Sequence, residues 1–170
     1  MPLGPDDLFT RFDNLGIEVK TMRHPPLFTV AESQALRGQL PGGHTKNLFL
    51  KDKKGAIFLI VAEEDAAIDL KRIHSAIGAQ GRVSFGKPDL LMEVLGVIPG
   101  AVTPFALIND EADKRVSLVL DRRLLAHDML NFHPLDNERT TQIARHDFEA
   151  FLAALGYEPA VLDLPGPEGI

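Results

Sequence analysis

Apolar residues recur at helical spacing in several parts of the chain, and these stretches predict its helices. A glycine of the kind that commonly ends a helix follows the first and the last of them, at Gly16 and Gly156. The apolar positions are Leu8, Phe9, Phe12 and Leu15 in the first helix and Phe148, Phe151, Leu152 and Leu155 in the last. Two more helices are predicted over residues 65–77 and 88–95. A capping-box spacing predicts a short helix over residues 29–36.

Alternating or continuous apolar runs predict the strands. The clearest is a hairpin, in which the polar turn 53–55 separates an apolar strand that ends near Lys51 from a second one over residues 56–61. The other predicted strands cover residues 17–22, 82–85, 105–108, 116–120 and 129–132. The tail over residues 159–170 holds three prolines and two glycines and is expected to be loose at its end. Short strands between short helices predict a single α/β domain of the mixed α+β kind over residues 1–170.

Composition and charge narrow the function classes. The 170 residues are 45% apolar and 25% charged, as in ordinary globular proteins, and the lack of cysteine removes disulfides and thiolate chemistry. The N-terminal sequence has no signal-peptide pattern and no apolar run has membrane-spanning length, so we expect a cytoplasmic protein without membrane contact. The formal net charge of −6 argues against a generic DNA-coating protein, so any nucleic-acid contact must be local.

Lys46 and Asn47 stand where the loop that contains Gly42 and Gly43 is predicted to meet the first hairpin strand. A polar loop that is held in place by a rigid hairpin commonly carries reactive groups. Three interpretations stay open for the pair: structural residues at a loop exit, a phosphate- and ligand-binding pair, or catalytic residues that orient a carbonyl or a water. The hairpin tip is either a solvated turn or a local nucleic-acid contact; its lysines are Lys51, Lys53 and Lys54.

Two other segments carry candidate chemistry. Residues 100–104 form either a simple turn or a loop of small residues whose main-chain N–H groups hold a substrate carbonyl or an oxyanion. His133, directly before a proline, stands either at a capped strand end or at a pocket rim. His127 and His133 are a pair with no obvious third ligand, and no phosphate-binding glycine fingerprint is present. We therefore expect neither a metal nor a cofactor.

Four segments occur in an order that resembles a known family; they are residues 46–55, 95–105, 107–110 and 132–137. Together they resemble the freestanding prolyl-tRNA editing domains, the YbaK/ProX-like aminoacyl-tRNA deacylases, and most closely the alanine-clearing branch called PrdX or ProXp-ala. The resemblance covers about residues 17–164. It implies a mixed, partly barrel-like sheet with flanking helices, and a trans-acting hydrolase that removes alanine mischarged onto proline tRNA.

The resemblance also implies roles for individual residues. Lys46 would hold the 3′-terminal nucleotide, Asn47 would place the aminoacyl group or the attacking water, and the main chain at Gly100 would line the pocket. The expected substrate-binding residues are His133, Ile98, Ala101, Val102, Thr103 and Pro104, and the expected tRNA contacts are Lys51, Lys53 and Lys54. The family uses no protein nucleophile or metal. The acceptor end of proline tRNA is the expected partner, with prolyl-tRNA synthetase as a second candidate.

A separate editing pocket for alanine is chemically reasonable. A synthetase site built for proline cannot strongly reject a smaller apolar amino acid, because a missing methylene changes the binding free energy by only about 1–3 kcal/mol. A narrow apolar slot that admits alanine and excludes proline corrects the error. Three alternatives stay open: a deacylase for cysteine or serine on tRNA, a non-catalytic nucleic-acid-binding module, and a small-molecule esterase unrelated to tRNA.

Overall fold

The structure is a computed structural model that describes residues 1–26 and 40–167. Within these residues eight strands form one mixed sheet, accompanied by four α-helices. The strands are β1 (Val19–Arg23), β2 (Gly43–Lys51), β3 (Ile57–Glu63), β4 (Ser84–Phe85), β5 (Val116–Asp121), β6 (Met129–Phe132), β7 (Arg139–Ala144) and β8 (Ala160–Leu162). The α-helices are α1 (Pro5–Leu15), α2 (Ile73–Ile77), α3 (Pro88–Leu95) and α4 (Arg145–Leu155). Short 3-10 helices cover Pro99–Ala101, Pro104–Asn109 and Arg122–Ala126.

The sheet has the strand order β1-β7-β6-β2-β3-β5-β8, with β4 paired to β2. Strand β2 is antiparallel to β3 and β4 and parallel to β6. The pairs β3–β5 and β5–β8 are also parallel, whereas β7 is antiparallel to both of its neighbours. The predicted mixed sheet with flanking helices is confirmed. The extent of the domain, predicted as residues 1–170, stays a prediction.

Helices α1, α3 and α4 pack against one face of the sheet around a large apolar core. The largest side chains buried in it are Phe12, Phe105, Phe132, Phe148 and Phe151. The ring centroid of Phe105 lies 5.1 Å from those of Phe12 and Phe132, in edge-on geometry. Such aromatic pairs contribute about 0.5–1.5 kcal/mol beyond the burial of their surface. Phe105 therefore anchors the chain that leads out of residues 99–102 firmly to the core.

Strands β2 and β3 present their two faces to different surroundings. Phe49 and Leu59 point into the large core, whereas Leu50 and Ile60 join a smaller cluster on the other side with α2. Side chains alternate along a strand, so every residue of β2 is assigned to one of these two sides by its position. Odd-numbered residues of β2 face the large core, and even-numbered residues face the opposite side.

One edge of β2 is only partly paired. On the side away from β3, the strand pairs with β6 at Gly43 and His44 and with β4 at Leu50 and Lys51. Among the described residues, no strand pairs with residues 45–49 on this edge, although the Phe49 carbonyl accepts a hydrogen bond from the Gly86 N–H at 2.9 Å. Over residues 1–26 and 40–167, the sheet thus has a gap in the middle of its longest strand.

The start of β2 corrects the sequence prediction for its two polar residues. Because β2 begins at Gly43, Lys46 and Asn47 lie inside the strand and not at a loop exit. Gly42 makes the turn into the strand at a φ of 110°. Gly43 is packed against His127, since a Cβ atom at Gly43 would lie 2.7 Å from the imidazole ring. The two glycines allow the start of β2 to pack closely against its neighbours, and they do not form a flexible loop.

The strand predicted over residues 105–108 is wrong, because this segment is part of the 3-10 helix Pro104–Asn109. Thr103 Oγ1 accepts a hydrogen bond from the Phe105 N–H at 3.2 Å, and Pro104 occupies the first helical position. A threonine cap and a proline start favour a helical turn. An apolar run of four residues carries no periodicity that separates strand from helix.

The helix predicted over residues 65–77 is also corrected. It is limited to α2, because the Asp69 N–H donates to the Pro165 carbonyl at 2.8 Å instead of to a helical partner. The C-terminal stretch contains a strand that was not predicted, β8, whose Val161 pairs with Leu120 of β5. The loose end predicted for this stretch stays a prediction. The helix predicted over residues 29–36 lies outside the described residues.

Candidate active site

Lys46 and Asn47 are adjacent in sequence but lie on opposite faces of β2. The Lys46 ammonium donates a hydrogen bond to the main-chain carbonyl of Ala66, on the side of the smaller apolar cluster. The Asn47 side chain points the other way, and its Nδ2 atom donates to Thr45 Oγ1 at 3.3 Å. Both side chains border the unpaired stretch of the strand. A ligand that enters this gap has access to both.

Asn47 lines a mostly apolar cleft of about 250 Å³. The other residues around this cleft are Phe49, Phe85, Gly86, Pro88, Leu91, Pro99 and Val102. Within the described part of the chain, the buried Oδ1 atom of Asn47 has no hydrogen-bond partner. A buried acceptor without a partner costs about 1–3 kcal/mol. A donor on a bound ligand would recover that free energy, so the cleft favours a ligand that carries one.

His133 directly follows β6, the strand that runs beside the start of β2. Strand β6 runs parallel to β2, with Asn131 opposite His44. This pair is the last in the register of the two strands, and Lys46 and His133 each lie two residues beyond it. Thr45 Oγ1 donates to the Asn131 carbonyl at 2.8 Å and ties the strands together at this point.

The His133 imidazole is held in one tautomer and kept neutral. Its Nδ1 atom lies 2.9 Å from the Arg139 carbonyl, and a carbonyl only accepts, so Nδ1 carries the proton and Nε2 is an acceptor. Burial lowers the pKa of His133 below its ordinary value, and the nearby His24 lowers it further. The ring centroids of His24 and His133 are 6.2 Å apart. The neutral ring offers an acceptor for a water or a hydroxyl group.

Gly100 meets the loop that follows His133. A Cβ atom at Gly100 would lie 3.1 Å from the Nδ2 atom of Asn137, so the Asn137 amide is directly beside the Gly100 main chain. Leu135, in the same loop, has a φ of 67°, a left-handed conformation that costs a leucine about 1–3 kcal/mol. Its side chain is buried in the core, and the Asp136 carboxylate accepts two bonds from Arg139. These contacts hold the loop in place against Gly100.

The remaining predicted pocket residues have different environments. Val102 lines the cleft, whereas Ile98 is half exposed beside it. Ala101 is fully buried in the large core, as are Thr103 and Pro104, which begin a 3-10 helix. The structure thus brings Asn47 together with Val102, and Gly100 together with the His133 loop. It places Ala101, Thr103 and Pro104 behind the pocket, where they fix its wall.

The three lysines predicted to contact tRNA lie at the far end of β2. Lys53 and Lys54 are exposed in the turn to β3, and Lys51 is partly buried at the strand end. Asp52 shapes this turn, since its carboxylate accepts main-chain hydrogen bonds from Gln80, Ala56 and Lys54 at 2.9 Å. The hydrogen bond from Gln80 and those from the turn lower the pKa of Asp52. Lys53 and Lys54 are thus held on a well-ordered turn, and Lys51 is the last residue of β2 before it.

The histidine pair considered for a metal does not converge. His127 forms a short hydrogen bond with the Glu63 carboxylate, whereas His133 is bonded to the Arg139 carbonyl. Over residues 1–26 and 40–167, no group of three histidine or carboxylate side chains is placed to hold a metal ion. In the same ranges no helix has the length and apolar character needed to cross a membrane.

A family model described as "Aminoacyl-tRNA editing domain" matches residues 24–151, three quarters of the chain. The chain belongs to this family. Similar proteins include the prolyl-tRNA editing protein ProX of Acetoanaerobium sticklandii, 34% identical over 88% of this chain and 90% of that protein. Another is the mouse prolyl-tRNA synthetase associated domain-containing protein 1, 34% identical over 92% of this chain and 94% of that protein. The recognition of the prolyl-tRNA editing family from the sequence is confirmed, and the editing domain is an aminoacyl-tRNA deacylase.

Solved structures show the same fold at lower sequence identity. One is a crystal structure of a candidate trans-editing enzyme for prolyl tRNA synthetase, with a TM-score of 0.66 and 18% identity over 98% of this chain and 99% of that chain. Another, of a hypothetical protein, has a TM-score of 0.69 and 21% identity over 91% of this chain and 97% of that chain. Proteins with only about one fifth of their residues identical to this chain therefore share the fold of the editing domain.

Several residues of the site were not predicted from the sequence. Asn137 beside Gly100, His24 beside His133, and Phe85 at the cleft were not singled out. For Phe85 a signal was present, because an aromatic residue stands between the two cations Arg82 and Lys87 in a short segment that contains Gly81 and Gly86. For Asn137 and His24 the contacts join residues distant in sequence, and local patterns do not reveal them.

Proposed function

We propose that the editing domain hydrolyses alanine from mischarged proline tRNA and acts in trans, as a protein separate from the synthetase. The prolyl-tRNA editing name of its Acetoanaerobium relative supports the tRNA. Alanine is supported by the mostly apolar lining of the cleft beside Asn47, which suits a small apolar side chain. The proposed partners are the acceptor end of proline tRNA and, as a docking platform, prolyl-tRNA synthetase.

The observation that carries this proposal is the gap in β2. Lys46 and Asn47 border the gap from opposite faces, and the Gly100 turn approaches through Pro99 and Val102 in the cleft. An RNA 3′ end bound there would meet a cation on one side and a carboxamide on the other. An ammonium has three donors, so Lys46 can keep its bond to Ala66 while binding a phosphate oxygen.

The proposed chemistry is attack of water on the aminoacyl ester. Asn47 and the main chain at Gly100 hold the ester carbonyl and the oxyanion that forms from it. The water oxygen bonds to the carbonyl carbon, the bond from that carbon to the ribose oxygen breaks, and the leaving ribose oxygen receives a proton that water loses through the neighbouring ribose hydroxyl. Alanine and an uncharged tRNA are the products. The protein contributes by orienting the reacting groups. In well-oriented intramolecular reactions, orientation lowers the activation barrier by at most about 7–11 kcal/mol.

The alternatives predict different outcomes in one assay. Purified protein is incubated with Ala-, Cys- and Ser-tRNA(Pro), with Ala-tRNA(Ala), with Pro-tRNA(Pro) and with alanine methyl ester, each with and without EDTA. We expect rapid release from Ala-tRNA(Pro) alone, unchanged by EDTA. Faster release of cysteine or serine would show that this amino acid, and not alanine, is the one that the domain removes. Cleavage of the free ester would indicate a general esterase, and binding without release would indicate a non-catalytic RNA-binding module.

A further inference from the structure

Phe85 is an exposed aromatic residue that lines the cleft. It belongs to the two-residue strand β4, and 59% of its surface is accessible. Single exposed apolar residues are common on protein surfaces, so the exposure of Phe85 gains meaning only from its surroundings. Phe85 and Asn47 line the same cleft, which connects Phe85 to the proposed active site.

The backbone that carries Phe85 is fixed, so the ring is presented on a rigid base. Leu50 of β2 pairs with Phe85, and the Gly86 N–H donates to the Phe49 carbonyl at 2.9 Å. Gly86 is packed directly on the Phe49 ring, with no room for a Cβ atom. This contact seals one wall of the cleft, and Phe85 is itself one of the residues that line it.

Positive charge surrounds the exposed ring, on a chain whose net charge is −6. Arg82 and Lys87 are exposed on either side of Phe85, and Lys51 pairs with Ser84 beside it. The Lys53 side chain lies against Gly81, at the start of the same segment. The acidic residues near this surface are Asp89 in the first turn of α3 and the buried Asp52, whose carboxylate is bound to the main chain. The local excess is therefore cationic.

From these contacts we infer that Phe85 is a stacking platform for the 3′-terminal base of the bound tRNA, with Arg82, Lys87 and Lys51 binding the adjacent phosphates. This inference rests on the proposed function, because it uses the acceptor end as the ligand. Single-stranded RNA ends are bound by stacking of unpaired bases on aromatic rings and by cations along the backbone. The acyl group would then extend from the ribose into the cleft toward Asn47.

A protein surface on the synthetase is the other possible occupant of an exposed aromatic ring. The four nearby cations are suited to binding a phosphate backbone. The centre of a protein–protein interface, by contrast, is usually poor in charged residues and in lysine in particular. The apolar area here is also small and borders a cleft instead of forming a flat patch. RNA is thus the occupant that the charge around Phe85 favours.

The test uses uncharged acceptor-stem RNA hairpins, so that it does not depend on hydrolysis. One hairpin ends in the single-stranded CCA sequence, and the second is identical except that its terminal nucleotide is abasic. Fluorescence anisotropy gives the dissociation constants for wild type, Phe85→Ala, Phe85→Leu and Phe85→Trp, with Met92→Ala as a control at an exposed apolar residue outside the cleft. Thermal melts confirm that each variant is folded.

We expect Phe85→Ala to weaken binding of the complete hairpin about tenfold to a hundredfold, the range that stacking on one aromatic ring supplies. Phe85→Trp is expected to restore it, and Phe85→Leu is not. Removal of the terminal base should weaken wild type strongly and Phe85→Ala hardly at all. Equal binding by wild type and Phe85→Ala would overturn the inference, as would full rescue by leucine. Loss of synthetase binding with unchanged RNA binding would assign the ring to a protein partner.

The outcome is separable from that of the proposed function. If Phe85→Ala loses RNA binding while wild type fails to release alanine from tRNA, the stacking role of Phe85 is supported and the alanine-releasing activity is contradicted. If wild type releases alanine and Phe85→Ala binds RNA and turns over normally, the activity is supported and the stacking role is contradicted.

Discussion

Lys46 and Asn47 are neighbours on β2, but their side chains lie on opposite faces of the sheet. The Lys46 ammonium donates a hydrogen bond to the Ala66 carbonyl, whereas Asn47 lines the apolar cleft. The proposed site is therefore not one pocket with all its polar groups pointing inward. In the described part of the chain it is an unpaired stretch of a strand edge, bordered on one face by a cation and on the other by a carboxamide.

Lys46→Ala is expected to reduce the rate of deacylation at least about a hundredfold, because the 3′-terminal nucleotide loses the cation that positions it. The rate is measured under single-turnover conditions, with folding checked by circular dichroism. Lys20→Ala, at an exposed lysine of β1, is the matched control and should retain the wild-type rate. Near-normal turnover by Lys46→Ala would remove Lys46 from the active site.

Asn47→Ala is expected to lower kcat about a hundredfold and to change KM by less than about threefold. A group that holds the carbonyl more strongly as charge develops on it acts mainly on kcat. Steady-state kinetics on the mischarged tRNA separate the two constants, and anisotropy with uncharged RNA measures binding alone. A variant with unchanged kcat and weakened RNA binding would give Asn47 a binding role only.

Gly86→Ala is expected to destabilise the protein by about 1–3 kcal/mol, the usual effect of forcing an extra methyl group into a packed site. The added Cβ atom would overlap the Phe49 ring, which forms part of the core and cannot swing away freely. Urea unfolding measures the change. Gly100→Ala is the comparison, since its methyl group would meet only the Asn137 amide; we expect little loss of stability there but a slower reaction.

The lowered pKa of His133 predicts a dependence of stability on pH. In the unfolded chain the imidazole has a pKa near 6.5, and in the folded protein burial lowers it. The unfolded state therefore binds more protons as the pH falls, so the contribution of His133 is complete above pH 6.5 and is lost as the pH falls through the folded value. His133→Gln should flatten urea-unfolding stability between pH 7 and pH 5. An unchanged slope in that variant would show that His133 is not the group responsible.

The sequence was sufficient for the mixed-sheet class, the helices that end in glycine and the family. Gly16, Gly96 and Gly156 each end a helix with a positive φ, a local rule that needs no tertiary information. The 3-10 helix Pro104–Asn109 was missed because it is set by a cap and a core anchor. Strands β7 and β8 were missed because each is held by pairing with a strand distant in sequence, β1 and β5 respectively.

The candidate site was only partly predictable for the same reason. The positions of Lys46, Asn47 and Gly100 were found from motif order, but their relative orientation depends on strand alternation and on the Asn137 loop. A start of β2 three residues before Lys46 is enough to separate the lysine from the asparagine. Sequence motifs locate such residues along the chain, and the sheet decides which side each one faces.

The measurement that tests the central claim most directly is the ratio of kcat/KM for Ala-tRNA(Pro) to that for Pro-tRNA(Pro). A narrow slot that admits an alanyl group to the gap and excludes a prolyl ring predicts a ratio on the order of a hundred or more, since exclusion by shape exceeds the discrimination of a single methylene. Equal rates on the two substrates, or release of neither, would contradict it.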